Sequence, residues 1–262
     1  MLLEKIADYA IREQSSKLPA KVLHHAKRAV IDWYAALLPG SVVKPAMLLE
    51  QALAEDLDRG RARLASGRRA TLRAAALING AASHSVEFDD IYRDAGYHPG
   101  SPVISAALAA AQTQGVSGEA FLRGVIVGYE VSTRIGEAVM PAHYRFWHTT
   151  GTVGSFGAAA AVATILRVNH EQFMHALATV ATFASGLQQA FRSQAMSKPL
   201  HGGHAADAGA LAAMAAEKGV TGALDILDGE VGFGAAMSVQ PDWTKATRGL
   251  GQDYHIVHMT FK

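Results

Sequence analysis

The chain contains no cysteine. That absence excludes disulfides, iron–sulfur ligation and thiolate zinc sites, and it suits a cytosolic protein. An excess of either charge is missing too: 24 Lys and Arg face 23 Asp and Glu, for a formal net of +1. No global field therefore draws the chain toward nucleic acid or an anionic membrane. Long hydrophobic runs are also scarce. The longest small-apolar run, "GTVGSFGAAAAVATIL", falls short of the roughly 20 residues of a membrane span and reads as a buried helix. "MLLEKIADYAIREQ" has early acidic residues and no unbroken apolar core, so it is no signal peptide, and a cytoplasmic location is expected.

What is present is mostly apolar. Half of the 262 residues are hydrophobic and 18% are charged, which fits a well-buried globular chain and excludes disorder. Basic residues gather in "RGRARLASGRRATLR", a short run read as solvated surface.

Helical periodicity dominates. In "LPAKVLHHAKRAVIDWYAALLPG" Pro19 opens a helix and Pro39-Gly40 closes it, with Val22, Ala26, Ala29, Trp33 and Leu37 on one stripe. "PAMLLEQALAEDLDRG" predicts a second helix with Gly60 as its C-cap, and "RRATLRAAALINGAASHS" a third. Pro102 and Gly115 bracket another, while Ser117 and Asn169 are predicted N-caps of two more. Gly151, Gly154 and Gly157 fall every three residues, a smooth helix face for close backbone approach. No strand precedes "GTVGSFG" and no Gly-Lys-Ser/Thr follows it, so the phosphate-loop signature fails. The prediction is an all-α multihelical bundle over residues 1–240. Residues 241–262, with "YHIVHMTFK" as a strand candidate, would begin a second domain absent from the chain.

Unusual polar residues concentrate at three junctions between apolar helices. The first, "HSVEFDDIYRDAGYHPG", packs Glu87, Asp89 and Asp90 into four positions and adds His98. The second is "HYRFWHTTGTVG", where His148 precedes a helix whose exposed N–H groups suit an anion. The third is "SKPLHGGHAADAG", where Lys198, His201 and His204 are expected ahead of an apolar helix. Taken singly, each is a solvated loop or a helix cap; together they suggest loops brought to one end of a bundle. A zinc or manganese site using the carboxylates with His98, His148, His201 and His204 is the rival reading. His201-Gly-Gly-His204 lacks the adjacent Glu of the zinc-helix motif.

With "AALINGAASHSVEFDD", "HPGSPV", "WHTTGTVGSFGAAAA" and "MSKPLHGGHAADAGALAAMAAEKGVTG" in that order, the chain resembles the MmgE/PrpD family. Its members include 2-methylcitrate dehydratase, cis-aconitate decarboxylase and an iminodisuccinate epimerase. The resemblance implies a helical large domain followed by a smaller α+β domain, a homodimer, and chemistry with no metal or organic cofactor. It implies Asp90, His98, His148 and Lys198 as catalytic residues, with Glu87, Asp89, His201 and His204 around the substrate. On that reading His98 and His148 move protons beside a carboxylate of a small polycarboxylate. Lys198 grips a carboxylate, and Asp90 or Glu87 orients a histidine. If the acidic row ends a helix, Glu87 and Asp90 share a face and Asp89 points elsewhere.

The chain departs from the family pattern in three ways. It is shorter, so the second domain would come from a separate chain or be missing. Ile91 stands where a small hydroxyl residue is frequent, and His204 where Arg is commoner. The implied activity is a 2-methylcitrate dehydratase-like lyase. The alternatives are an isomerase or decarboxylase of the same family, and a catalytically incompetent dimerisation or binding module.

Overall fold

The computed structural model describes residues 1–193 and 195–262. The order of elements is α1 (Leu2–Glu13), α2 (Ala20–Gly40), α3 (Ala46–Ala52), β1 (Leu57–Arg63), β2 (Arg69–Ala70), α4 (Leu72–Ser83), α5 (Ser105–Gln114), α6 (Gly118–Val139), α7 (Thr149–Leu166), α8 (His170–Ala181), α9 (Ser197–Glu217) and α10 (Phe233–Met237). A π-helical turn, Gly100–Ile104, leads into α5. The mainly helical architecture predicted from periodicity is what forms.

Helix α7 is the axis of the bundle, packed between α6 and α9. It is apolar on every side, so it has no solvent face. By length and composition alone α7 could cross a membrane, beyond what the sequence run suggested; here almost all of it is buried inside the domain. Small residues permit its close contacts. A Cβ on Gly157 would lie 2.7 Å from Ser132 Oγ of α6, and one on Gly209 of α9 only 2.4 Å from Ala158 Cβ. The glycine face expected of α7 is therefore used for packing.

A second close crossing fixes the site. A Cβ on Gly80 of α4 would lie 2.8 Å from Gly203 Cα of α9, so these backbones touch. The C-terminus of α4 and the N-terminus of α9 are thereby held side by side.

Several local expectations change. Helix α3 stops at Ala52 rather than at a C-cap at Gly60, and β1 and β2 pair as a hairpin. Asp58 and Gly60 both take positive φ, which no helix tolerates. Leu57, Ala62 and Leu64 turn inward while Arg59, Arg61 and Arg63 stay in solvent. Helix α9 starts at Ser197, so Lys198, His201 and His204 lie inside its first turns, not ahead of it.

The C-terminal segment does not form the anticipated strand. It makes a 3-10 turn at His255–His258 and a single antiparallel bridge between Ile91 and Thr260. Tyr254, Ile256 and Met259 are buried against the helices. The fully buried Arg134 of α6 anchors this segment: its Nε donates to Glu130 at 2.7 Å and its Nη2 to the Asp253 carbonyl at 2.6 Å. It also donates to the Arg248 carbonyl. Glu130 in turn accepts from the His255 N–H at 2.9 Å. The pair is thus satisfied on both sides, which a buried ion pair requires.

Candidate active site

Four helix ends meet where the polar segments were expected to converge. His84 caps the C-terminus of α4, and His98 precedes the π-turn into α5. His148 is the N-cap of α7, and Lys198 and His201 lie in the opening turns of α9. Three of these ends are N-terminal, and their positive dipole ends favour anions and neutral imidazoles nearby.

The imidazoles form a row. Ring centroids of His84 lie 5.1 Å from His98 and 5.5 Å from His148, and those of His148 and His201 lie 5.2 Å apart. His84 therefore stands between the two histidines that sequence reasoning singled out. It lay within the quoted stretch, but sequence reasoning gave it no role.

The carboxylates sort differently from the expectation. Asp89 faces the row: its Oδ2 lies 2.8 Å from His84 Nδ1 and 3.6 Å from His98 Nδ1. Asp90 turns its carboxyl away, accepting from Tyr129 OH at 2.8 Å and from the Gly100 N–H at 2.9 Å. Only its backbone carbonyl meets His98, at 2.8 Å from Nδ1. The orienting contact expected of Asp90 or Glu87 is thus made by the side chain of Asp89. The segment is a loop and not a helix end, and Glu87 has a φ of 61°. The helical-face argument for Glu87 and Asp90 consequently fails.

Burial sets the protonation states. It pulls His98 and His201 down to about 4, with the Asp89 charge partly opposing this at His98. His148 falls well below its ordinary value chiefly by burial, and the neighbouring imidazoles and the Lys198 ammonium disfavour a further charge there. Burial raises the Asp90 carboxyl well above the usual range, and the neighbouring Asp89 pushes it further. Burial would also raise Asp89, but His84 and then His98 outweigh it and hold its carboxyl below the ordinary value. Half-buried Asp32, which accepts from the Asp90 N–H at 2.9 Å, is pushed up to about 6, chiefly by burial.

An ionised carboxylate can only accept, so Asp89 fixes the His84 proton on Nδ1. The Asp90 carbonyl does the same for His98. His98, neutral because it is buried, then presents Nε2 as a bare base. Among the described residues, buried His84 Nε2 and Asp89 Oδ1 find no hydrogen-bond partner, nor does Thr149 Oγ1 at the start of α7. Buried polar atoms left open are the exception in folded proteins and mark where another polar group belongs.

Above the row lies a rim. Lys198 pairs with half-exposed Glu87 and sits 4.8 Å over the ring of Phe191, whose edge packs on His148 at 4.5 Å. A cavity of about 400 Å³ opens there, lined by Lys44, Ser85, Glu87, Phe191 and Lys198 among others. His201 shares a 3.0 Å contact with His148. His204 points the other way, to the Phe183 carbonyl at 3.2 Å, and stays exposed. The structure thus brings Asp89, His98, His148, His201, Glu87 and Lys198 into one neighbourhood, adds His84 and Phe191, and leaves His204 outside.

Among the described residues, His84, Asp89 and His98 are the group with metal-like spacing, their donor atoms within 4.8 Å of one another. Of the imidazoles weighed as ligands from sequence, only His98 belongs to it.

A helical domain that sinks neutral imidazoles and one ionised carboxylate at converging helix N-termini is suited to proton transfer on an anion. The chain belongs to the MmgE/PrpD family: the pattern of the MmgE/PrpD N-terminal domain matches residues 4–246. Its relatives include a cis-aconitate decarboxylase-like protein of Aspergillus oryzae, 29% identical across 98% of this chain and 57% of that protein. The cis-aconitate decarboxylase of Homo sapiens is 36% identical over 62% of the chain and 34% of its own length. That of Aspergillus terreus is 27% identical over 98% of the chain and 56% of its own. The chain spans little more than half the length of the curated relatives it matches end to end.

Proposed function

We propose that this chain carries the proton-transfer and carboxylate-binding part of a lyase acting on a small polycarboxylate. The observation that supports it best is the buried row His98–His84–His148 with Asp89 beneath and Lys198 above. Within that reading, the names of the relatives favour cis-aconitate as the first substrate to test, ahead of 2-methylcitrate. Both reactions move a proton at a carbon next to a carboxylate. They differ in what leaves: carbon dioxide in one, water in the other.

Each group has a task. Lys198 and the N-termini of α7 and α9 hold carboxylates and offset charge that develops on the substrate. His98 and His148, neutral because they are buried, accept or deliver the proton. Asp89 holds the tautomer of His84, and the Asp90 carbonyl holds that of His98. No step in this scheme requires a metal.

The greater length of the relatives supports a further part of the reading. A smaller domain, in the same polypeptide or a second one, would close over the rim, and the enzyme would work as a homodimer. The direct test is incubation with cis-aconitate, 2-methylcitrate and citrate, following unsaturated-acid absorbance and carbon dioxide release. Neither turnover nor binding of any of the three, with the remaining domain supplied, would sink the proposal and leave a binding module.

A further inference from the structure

The contact between Glu87 and Lys198 joins segments 111 residues apart at the mouth of the cavity above the histidine row. We infer that Glu87 is an internal competitor for Lys198: its carboxylate holds the ammonium in the unliganded chain and yields it to a substrate carboxylate. This rests on the polycarboxylate reading and adds a specificity device to it.

Three observations carry the inference. First, Glu87 has φ +61°, a conformation costly for a residue other than glycine or asparagine. Lysines hold it at both ends: Lys198 meets its side chain, and Lys262 Nζ donates to its backbone carbonyl at 3.0 Å. The strained residue therefore serves the ion pair. Second, the pair is easily exchanged. Lys198 retains 23% of its side-chain exposure and Glu87 49%, so Glu87 has solvent to swing into. Ion pairs this exposed contribute little net stability, and trading one carboxylate for another on the same ammonium is nearly neutral.

Third, the position is strategic. Lys198 rests over Phe191, and Phe191 lies against His148. A ligand drawing Lys198 away from Glu87 thereby acts on the aromatic cover of the base. A monocarboxylate would merely replace Glu87 and gain nothing. A polycarboxylate has further carboxylates for the helix N-termini and for Lys44 in the same cavity. Glu87 thus sets a threshold that any ligand of Lys198 must overcome, and a polycarboxylate clears it through its further contacts.

The test is calorimetric titration of the wild-type chain and of Glu87→Gln, Glu87→Asn and Lys198→Gln with propane-1,2,3-tricarboxylate, a non-reacting tricarboxylate. Asparagine suits the left-handed backbone, so Glu87→Asn guards against a folding artefact of the first variant. Removing the competitor should tighten binding roughly two- to fivefold, the range of an exposed ion pair, while Lys198→Gln weakens it. Wild-type binding with both Glu87 variants unchanged or weaker would overturn the competitor role and leave the polycarboxylate reading standing. No binding to wild type or to any variant would overturn both. Binding to the Glu87 variants alone would support both.

Discussion

Asp89 Oδ2 lies 2.8 Å from His84 Nδ1, with both side chains essentially removed from water. This buried pair fixes a proton on one nitrogen of a ring that stands between two other imidazoles. Its energetic consequence is asymmetric, because removing one partner leaves the other buried and alone. Asp89→Ala should therefore destabilise the fold by about 3 kcal/mol. Asp89→Asn, which keeps an acceptor for Nδ1–H, should cost less. Urea unfolding of the two variants measures the difference, and equal stabilities would show that the pair is not held as described.

Histidine burial predicts a pH dependence with a definite sign. His98 titrates at about 4 in the folded chain, against about 6.5 for a free imidazole. Between those values the unfolded chain binds a proton that the folded chain does not, so stability falls as pH falls through that window. It is fully present above 6.5, and the loss is complete below 4. The contribution is at most about 3 kcal/mol. Other buried groups, Asp90 and Glu130, have raised values and slope the opposite way, so the His98 share must be read as a difference. Wild type compared with His98→Gln by urea unfolding at neutral pH and near pH 4 supplies it. The wild-type advantage should shrink on acidification, and an advantage that grows would contradict the assignment.

Catalysis on the proposed substrate should depend on both flanking imidazoles. His98→Gln and His148→Gln, in protein complete with its remaining domain, should each lower kcat by about 10²–10⁴-fold, the usual worth of a positioned acid or base. Binding of propane-1,2,3-tricarboxylate should change far less. If binding is lost in parallel with turnover, those rings grip the ligand and do not move its proton.

How much of this was legible in the sequence depends on the range of the cause. The caps at Ser117 and Asn169 are local chemistry, and both side chains accept the backbone N–H three residues on, as their identities predict. The stripe of α2 and the glycine face of α7 follow equally from spacing. The β1–β2 hairpin was missed because its apolar positions are few and interrupted, and the positive φ of Asp58 and Gly60 decides the chain direction. Asp89 could not be told from Asp90 because the left-handed turn at Glu87 sets which carboxylate faces inward. The hold of Arg134 on the C-terminal segment spans more than a hundred residues, and no local pattern announces it.

A chelator separates proton transfer from metal chemistry at His84, Asp89 and His98. If the row works as proposed, dialysis against EDTA should leave turnover of cis-aconitate unchanged, and added zinc should inhibit by occupying the bare Nε2 of His98. Activity lost to EDTA and restored by a divalent ion would assign the three residues as ligands instead.

Arg134 gives a prediction independent of any substrate. Its guanidinium bonds Glu130 in a buried setting and three backbone carbonyls of residues 248–253 in a part-buried one. Arg134→Met removes every one of these donors and leaves Glu130 buried opposite a thioether. Glu130 is already pushed up to about 7, mainly by burial and in spite of Arg134, so without the cation it should take up a proton at neutral pH. Protonation limits the penalty for Glu130 itself, but the three carbonyls keep no substitute donor on α6. The net loss should be about 3–5 kcal/mol, as for other broken buried pairs. Because the lost bonds all end in the C-terminal segment, that segment should loosen before the bundle does. Amide hydrogen exchange in residues 248–260 should accelerate in Arg134→Met while α7 remains protected. Uniform acceleration across both would show that Arg134 supports the whole core rather than fastening the segment.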